Sequence, residues 1–132
     1  MEPYKKIANL LWETSSSNHA STAKLDIMPK NVNKLLVANR GEIALRVVRT
    51  AREMGIPTVA VYAEQDRHAQ YVQMADDAYL LSGDTYKDTY LNEDLLIDIL
   101  HKTGANAVHP GYGFLSEVPS FAQKVEDAGA IW

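Results

Sequence analysis

Residues 34–55, KLLVANRGEIALRVVRTAREMG, read as a strand, a one-glycine turn and a helix. Residues 34–38 are a short apolar run ending at Asn39-Arg40-Gly41, the pattern of a buried strand meeting a tight turn. From Ile43 the period changes. Ile43, Val47, Ala51 and Met54, widened by Ala44 and Val48, recur at helical spacing and make one face apolar. Gly55 is the expected stop, because glycine accepts the left-handed conformation that closes many helices. The opposite face carries Glu42, Arg46, Arg49 and Glu53, a ladder of alternating charge. Such a ladder is either a solvated surface with weak intrahelical pairs, each contributing about 0.2–0.5 kcal/mol, or one half of a symmetric interface. Spacing does not choose between them.

Downstream, Pro57 introduces Thr58-Val59-Ala60-Val61-Tyr62, a β-branched run that reads as a second buried strand. A polar break at Glu64-Gln65-Asp66 leads to a weak helix over 68–74, with Tyr71, Val72 and Ala75 inward. Ala78-Tyr79-Leu80-Leu81 makes a brief third strand, and 82–89 is a loop by composition. The next helix spans 91–103, capped by Asn92, with Leu95, Leu96, Ile99 and Leu100 as its buried face and Gly104 as its terminator. Residues 105–109 form another strand. The loop His109-Pro110-Gly111-Tyr112-Gly113-Phe114-Leu115-Ser116-Glu117 follows, then a helix over 119–128 that starts on Pro119, turns Phe121, Ala122 and Val125 inward, and closes at Gly129. Ala130-Ile131-Trp132 reads as the start of one more strand, cut short. Strand and helix alternate with short connections, which predicts an α/β, Rossmann-like parallel sheet with helices on both faces.

Upstream of this domain, assigned to 34–132, residues 1–33 read as a mobile extension. Ile7, Leu10 and Leu11 share one side of a short helix, but Thr14-Ser15-Ser16-Ser17-Asn18 ends it and polar residues follow. Residues 7–12 are broken by Asn9 and fall short of the h-region of about 7–15 residues that a signal peptide needs. Met28 is an alternative start.

The 132 residues carry a net charge of −4, no cysteine and 46% hydrophobic residues, which fits one globular domain with a tail. Mild acidity argues against nucleic acid, whose phosphates require a basic field. Without cysteine there is no disulfide or thiolate chemistry, a composition compatible with a cytoplasmic protein. No apolar run approaches the roughly 18–20 residues of a membrane span, so no membrane role is expected.

Ligands of such sheets gather at the carboxyl ends of the strands, which directs attention to loops 39–42, 64–67 and 109–117. Glu64 follows Gly41 at about the distance of a ribose-binding acid, but the first loop has one glycine instead of three, and Arg40 and Glu42 stand where a pyrophosphate would approach. Classical dinucleotide binding is therefore not expected. In the third loop, Gly111 and Gly113 flank Tyr112, and Pro110 stiffens the approach. This is either a structural glycine turn or a rigid lip presenting an aromatic face to a planar polar ligand. His109 is either a group titrating near neutral pH or a hydrogen-bonded structural residue, and Glu117 either a site acid or a helix-capping one. His19, His68 and His101 are scattered singly, so no metal cluster is expected, and no pairing of nucleophile and base is evident.

LLVANRGEIALRVVRTAREMGIPTVAVY followed by AVHPGYGFLSE resembles the amino-terminal domain of biotin carboxylase, as found in acetyl- and propionyl-CoA carboxylase α chains and in pyruvate carboxylase. The likeness runs from about residue 34 to residue 132. It departs at Val118, where the family usually has asparagine. The resemblance implies a Rossmann-like domain preceding an ATP-grasp domain, in an enzyme that uses ATP with Mg and bicarbonate to carboxylate biotin on a carrier protein. It implies His109, Tyr112, Gly113 and Glu117 as a lip beside the biotin ureido ring. Arg46, Arg49 and Glu53 become a homodimer contact, and Asn39, Arg40, Gly41 and Glu42 an architectural turn. The implied partners are the biotin carboxyl carrier protein and a carboxyltransferase component. Catalytic residues are expected outside this chain, which would be an inactive fragment by itself. A free-standing nucleotide-binding module and a non-catalytic dimerisation element are the alternatives.

Overall fold

The computed structural model describes residues 31–132. The elements are β1 (Leu35–Val37), α1 (Gly41–Glu53), β2 (Thr58–Tyr62), a 3-10 turn (Glu64–Asp66), α2 (Gln70–Met74), β3 (Asp77–Leu80), α3 (Glu93–Thr103), β4 (Ala107–His109) and α4 (Pro119–Asp127). The expected short helix around Ile7 and the alternative start at Met28 lie outside the described residues.

All pairings are parallel and the strand order is β3-β2-β1-β4. Leu36 sits opposite Val59 on one side and Val108 on the other. Because alternate strand residues face opposite sides, the chain builds two cores. Val37 and Ala60 pack with Ala44, Leu45 and Val48 of α1 and Tyr71 of α2. Leu36, Val59, Val61 and Val108 pack on the other face with Leu96, Ile99 and Leu100 of α3 and Phe121 and Val125 of α4. Helices cover both faces, as the alternating pattern predicted. Ile131 pairs with Ala107 beyond β4, with its N–H 2.8 Å from the Asn106 carbonyl, so the expected further strand begins there.

Local signals act where they were read. The Asn92 side chain accepts from the Leu95 N–H at 3.2 Å, and Gly104 closes α3 at φ 70°. Asn106 ties residues 31–34 to the domain, through the Asn31 carbonyl at 2.8 Å and the Asn33 N–H at 2.9 Å, so ordered contacts begin before residue 34. Two expectations change. The fully buried face of α1 is Ala44, Leu45, Val48 and Ala51, whereas Ile43, Val47 and Met54 are half-buried. The apolar arc of α1 is wider than its contact with the sheet, and its period alone does not say which part of the arc turns inward. The polar break is a 3-10 turn with Asp66 buried. Val118 occupies the cap position of α4 and offers no side-chain acceptor to the helix. An asparagine there would supply one. Val118 instead packs against the core.

Candidate functional site

The strand order reverses between β1 and β4, since the chain steps outward through β2 and β3 and then returns to the other side of β1. At such a switch point neighbouring loops diverge and leave a crevice at the carboxyl ends of the strands. The loops that meet here are 39–42 after β1 and 109–117 after β4. Sequence order separates them by about seventy residues, and only the crossover brings them together.

Asn39 is fully buried between them. Its side-chain amide donates to the Pro110 carbonyl at 2.7 Å and to the Tyr112 carbonyl at 2.9 Å, while its oxygen accepts from the Arg40 N–H at 2.8 Å. Gly111 (φ 65°) lies against it, and Gly113 (φ 72°) and Phe114 (φ 43°) also take left-handed conformations. Three positive φ angles within four residues fold the backbone into a compact lip. Tyr112, 66% exposed, stands out from that lip.

The Tyr112 side of the lip and α1 enclose an apolar groove of about 490 Å³. His109, Gly111 and Tyr112 form one bank; Ile43, Arg46, Val47 and Thr50 of α1 form the other. A shallower, more polar depression continues from Tyr112 along Glu42, Arg46 and Arg49. Arg46 therefore belongs to the lip's groove as well as to the charged ladder. All four ladder residues are exposed. Gly113 and Glu117 are exposed and line neither depression, and Glu117 does not cap α4. His109 accepts the Gly111 N–H on Nδ1 at 3.0 Å. Partial burial holds its pKa below the ordinary histidine value, so near neutral pH it is the uncharged, hydrogen-bonded form.

Arg40 turns away from the groove. Its guanidinium grips Asp66 through two bonds of 2.7 and 2.6 Å, a fork-to-carboxylate geometry. The same carboxylate accepts from Tyr90 Oη at 2.6 Å. Tyr90 Oη in turn accepts from the Ala63 N–H at 2.8 Å and lies 3.1 Å from Tyr71 Oη, whose hydroxyl donates to the Val61 carbonyl. The Arg40 guanidinium, with help from Tyr90, holds the Asp66 carboxyl below its usual range despite burial. Asp66 raises Arg40 in return. Burial and then Asp66 push Tyr90 up to about 12. Glu64, whose spacing from Gly41 matches a ribose-binding acid but whose loop does not fit one, is exposed and paired with Arg67 at 2.7 Å. Asp66 was missed, because nothing in Glu64-Gln65-Asp66 shows which acid turns inward.

Among the described residues no group of three or more His, Cys, Asp or Glu is arranged to hold a metal ion, and no helix is long and apolar enough to cross a membrane.

The family model described as "Biotin carboxylase, N-terminal domain" matches residues 31–132. The α3 subunit of a biotin-dependent acyl-coenzyme A carboxylase from Mycobacterium leprae is 55% identical over 101 residues, 76% of this chain and 17% of that protein. The crystal structure of the biotin carboxylase subunit of a pyruvate carboxylase superposes with a TM-score of 0.73 at 52% identity, over 76% of this chain and 22% of that one. The biotin carboxylase domain dimer of the Hydrogenobacter thermophilus 2-oxoglutarate carboxylase, solved with MgADP, ADP and bicarbonate, gives 0.73 at 48% identity, over 77% and 22%. The chain thus spans about a fifth of the length of these relatives. With the parallel sheet, the lip at its switch point and this likeness in agreement, the chain belongs to the biotin carboxylase N-terminal domain family.

Proposed function

We propose that this region works as the amino-terminal domain of the biotin carboxylase component of an acyl-CoA carboxylase, and that the Tyr112 lip is one wall of the biotin site. On this reading the parent enzyme uses ATP and bicarbonate to carboxylate biotin on its carrier protein, and a carboxyltransferase component passes the carboxyl group to the acyl-CoA. The exposure of Tyr112 on a backbone fixed from beneath carries the reading. The ureido ring of biotin is flat, uncharged and edged with N–H and C=O groups. A tyrosine face packs against such a ring and leaves its edge free for polar contacts. Neutral His109 and the apolar Ile43 and Val47 of the facing bank suit an uncharged ring. ATP, its magnesium and bicarbonate are assigned to parts of the parent beyond residues 31–132.

Replacing Tyr112 by alanine in the complete carboxylase is expected to raise KM for free biotin about tenfold, the loss of one aromatic packing contact, and to leave KM for ATP unchanged. An unchanged biotin KM would overturn the assignment.

Arg46, Arg49 and Glu53 are assigned to a homodimer contact. Their shared exposed face and the dimeric state of the Hydrogenobacter thermophilus relative support this. Arg49→Glu would put a carboxylate where a guanidinium meets its partner and should shift sedimentation towards the monomer at micromolar concentration. Identical sedimentation of the two proteins would leave the ladder as a solvated surface.

A further inference from the structure

Besides the Gly111 N–H bond to His109, two holds on the lip lead back to adjacent residues of the β1–α1 turn. On one side, Asn39 uses both of its amide hydrogens on lip carbonyls, 2.7 Å to Pro110 and 2.9 Å to Tyr112. On the other, Phe114 is wedged into an aromatic cluster, its ring centroid 5.4 Å from Tyr90 and 5.2 Å from Tyr86. Tyr90 is itself fixed by Asp66, and Asp66 by Arg40. A non-glycine residue at φ 43° persists only where its surroundings hold it. Tyr112 lies between these anchors and is largely exposed.

We infer that Asn39 and Arg40 are positioning residues for Tyr112, Asn39 by bonding the lip backbone directly and Arg40 by fixing, through Asp66 and Tyr90, the platform on which Phe114 rests. The turn that sequence reasoning took as architectural thereby sets the height and angle of the aromatic face. What this lip is for rests on the biotin reading above; what holds it does not. A wall fixed before ligand arrives loses little entropy on binding.

The test uses the 132-residue chain without ligand. In the unaltered protein, NMR should detect scalar couplings across the hydrogen bonds from the Asn39 side-chain nitrogen to the Pro110 and Tyr112 carbonyls. Backbone order parameters at Gly111 to Phe114 should be about 0.85, as in the strands. Asn39→Asp keeps the size and the acceptor for Arg40 but loses both donors. It should drop the order parameters of Gly111 to Gly113 below about 0.6 while β1 and β2 stay rigid. Missing couplings, or a mobile lip in the unaltered chain, would overturn the inference even if the variant does not fold. A folded Asn39→Asp chain with an unchanged lip would overturn the role of Asn39, and a folded Arg40→Met chain with Phe114 as rigid as in the unaltered protein would overturn that of Arg40. In the complete carboxylase, Asn39→Asp should raise KM for biotin and not for ATP. A loosened lip together with an unchanged biotin KM in Tyr112→Ala would refute the biotin assignment and leave the positioning role standing.

Discussion

Gly111→Ala is expected to destabilise the domain by about 3 kcal/mol and to lower its urea midpoint accordingly. Two terms add. Gly111 has φ 65°, a conformation that alanine adopts only under strain. The new Cβ would also lie 2.6 Å from Ile43 Cγ2 and 2.7 Å from Asn39 Nδ2. Ile43 is half-buried and its methyl can yield, but Asn39 is locked by bonds to Pro110, Tyr112 and Arg40, so relief there breaks the contacts that hold the lip. Gly113→Ala provides the control. Its φ is 72°, but nothing stands within 4 Å of the added carbon, so only the backbone term of about 1 kcal/mol remains. Equal midpoint shifts for the two variants would show that the close approach to Asn39 does not matter.

Asp66→Ala is expected to cost about 2–3 kcal/mol at pH 7. Breaking a fully buried ion pair costs about 3–5 kcal/mol, and the value is reduced here because the Arg40 side chain is 35% exposed and water screens it. Part of the cost is the Tyr90 hydroxyl, whose acceptor disappears in a residue only 2% exposed. The sign of the pH dependence follows from the depressed carboxyl. A group whose folded pKa lies below its unfolded value, about 3.9 for aspartate, stabilises the fold fully above the unfolded value. That contribution is lost as pH falls through the folded one. The gap between unaltered and Asp66→Ala chains should therefore be widest near neutrality and narrow progressively below about pH 4. Denaturation midpoints at both ends of that range measure it, and a gap independent of pH would show that ionised Asp66 is not the stabilising species.

Much of the fold was legible because its signals are local. The β-branched run 58–62 reads as a strand from its own composition, and Asn92 and Gly104 bracket α3 through interactions with neighbours in sequence. The lip was legible for the same reason, since Gly111-Tyr112-Gly113 announces an unusual backbone wherever it falls. Less legible was the inward face of α1, because Ile43, Leu45, Val47 and Val48 are all apolar and only contact with the sheet and the groove sorts them. Glu64 and Asp66 are alike in chemistry and two residues apart; Tyr90, arriving from a distant loop, makes one of them a buried partner.

The alternation of strand and helix, the conformations the glycines permit and the family to which they correspond each depend on residues close together along the chain, and so are readable from it. Tertiary structure decided that Asn39 and Tyr112, seventy-three positions apart, meet at the sheet's switch point. It also decided that Arg40 faces Asp66 and not the groove. Those outcomes depend on strand order, which follows from how helices pack across a whole sheet and is written in no single segment.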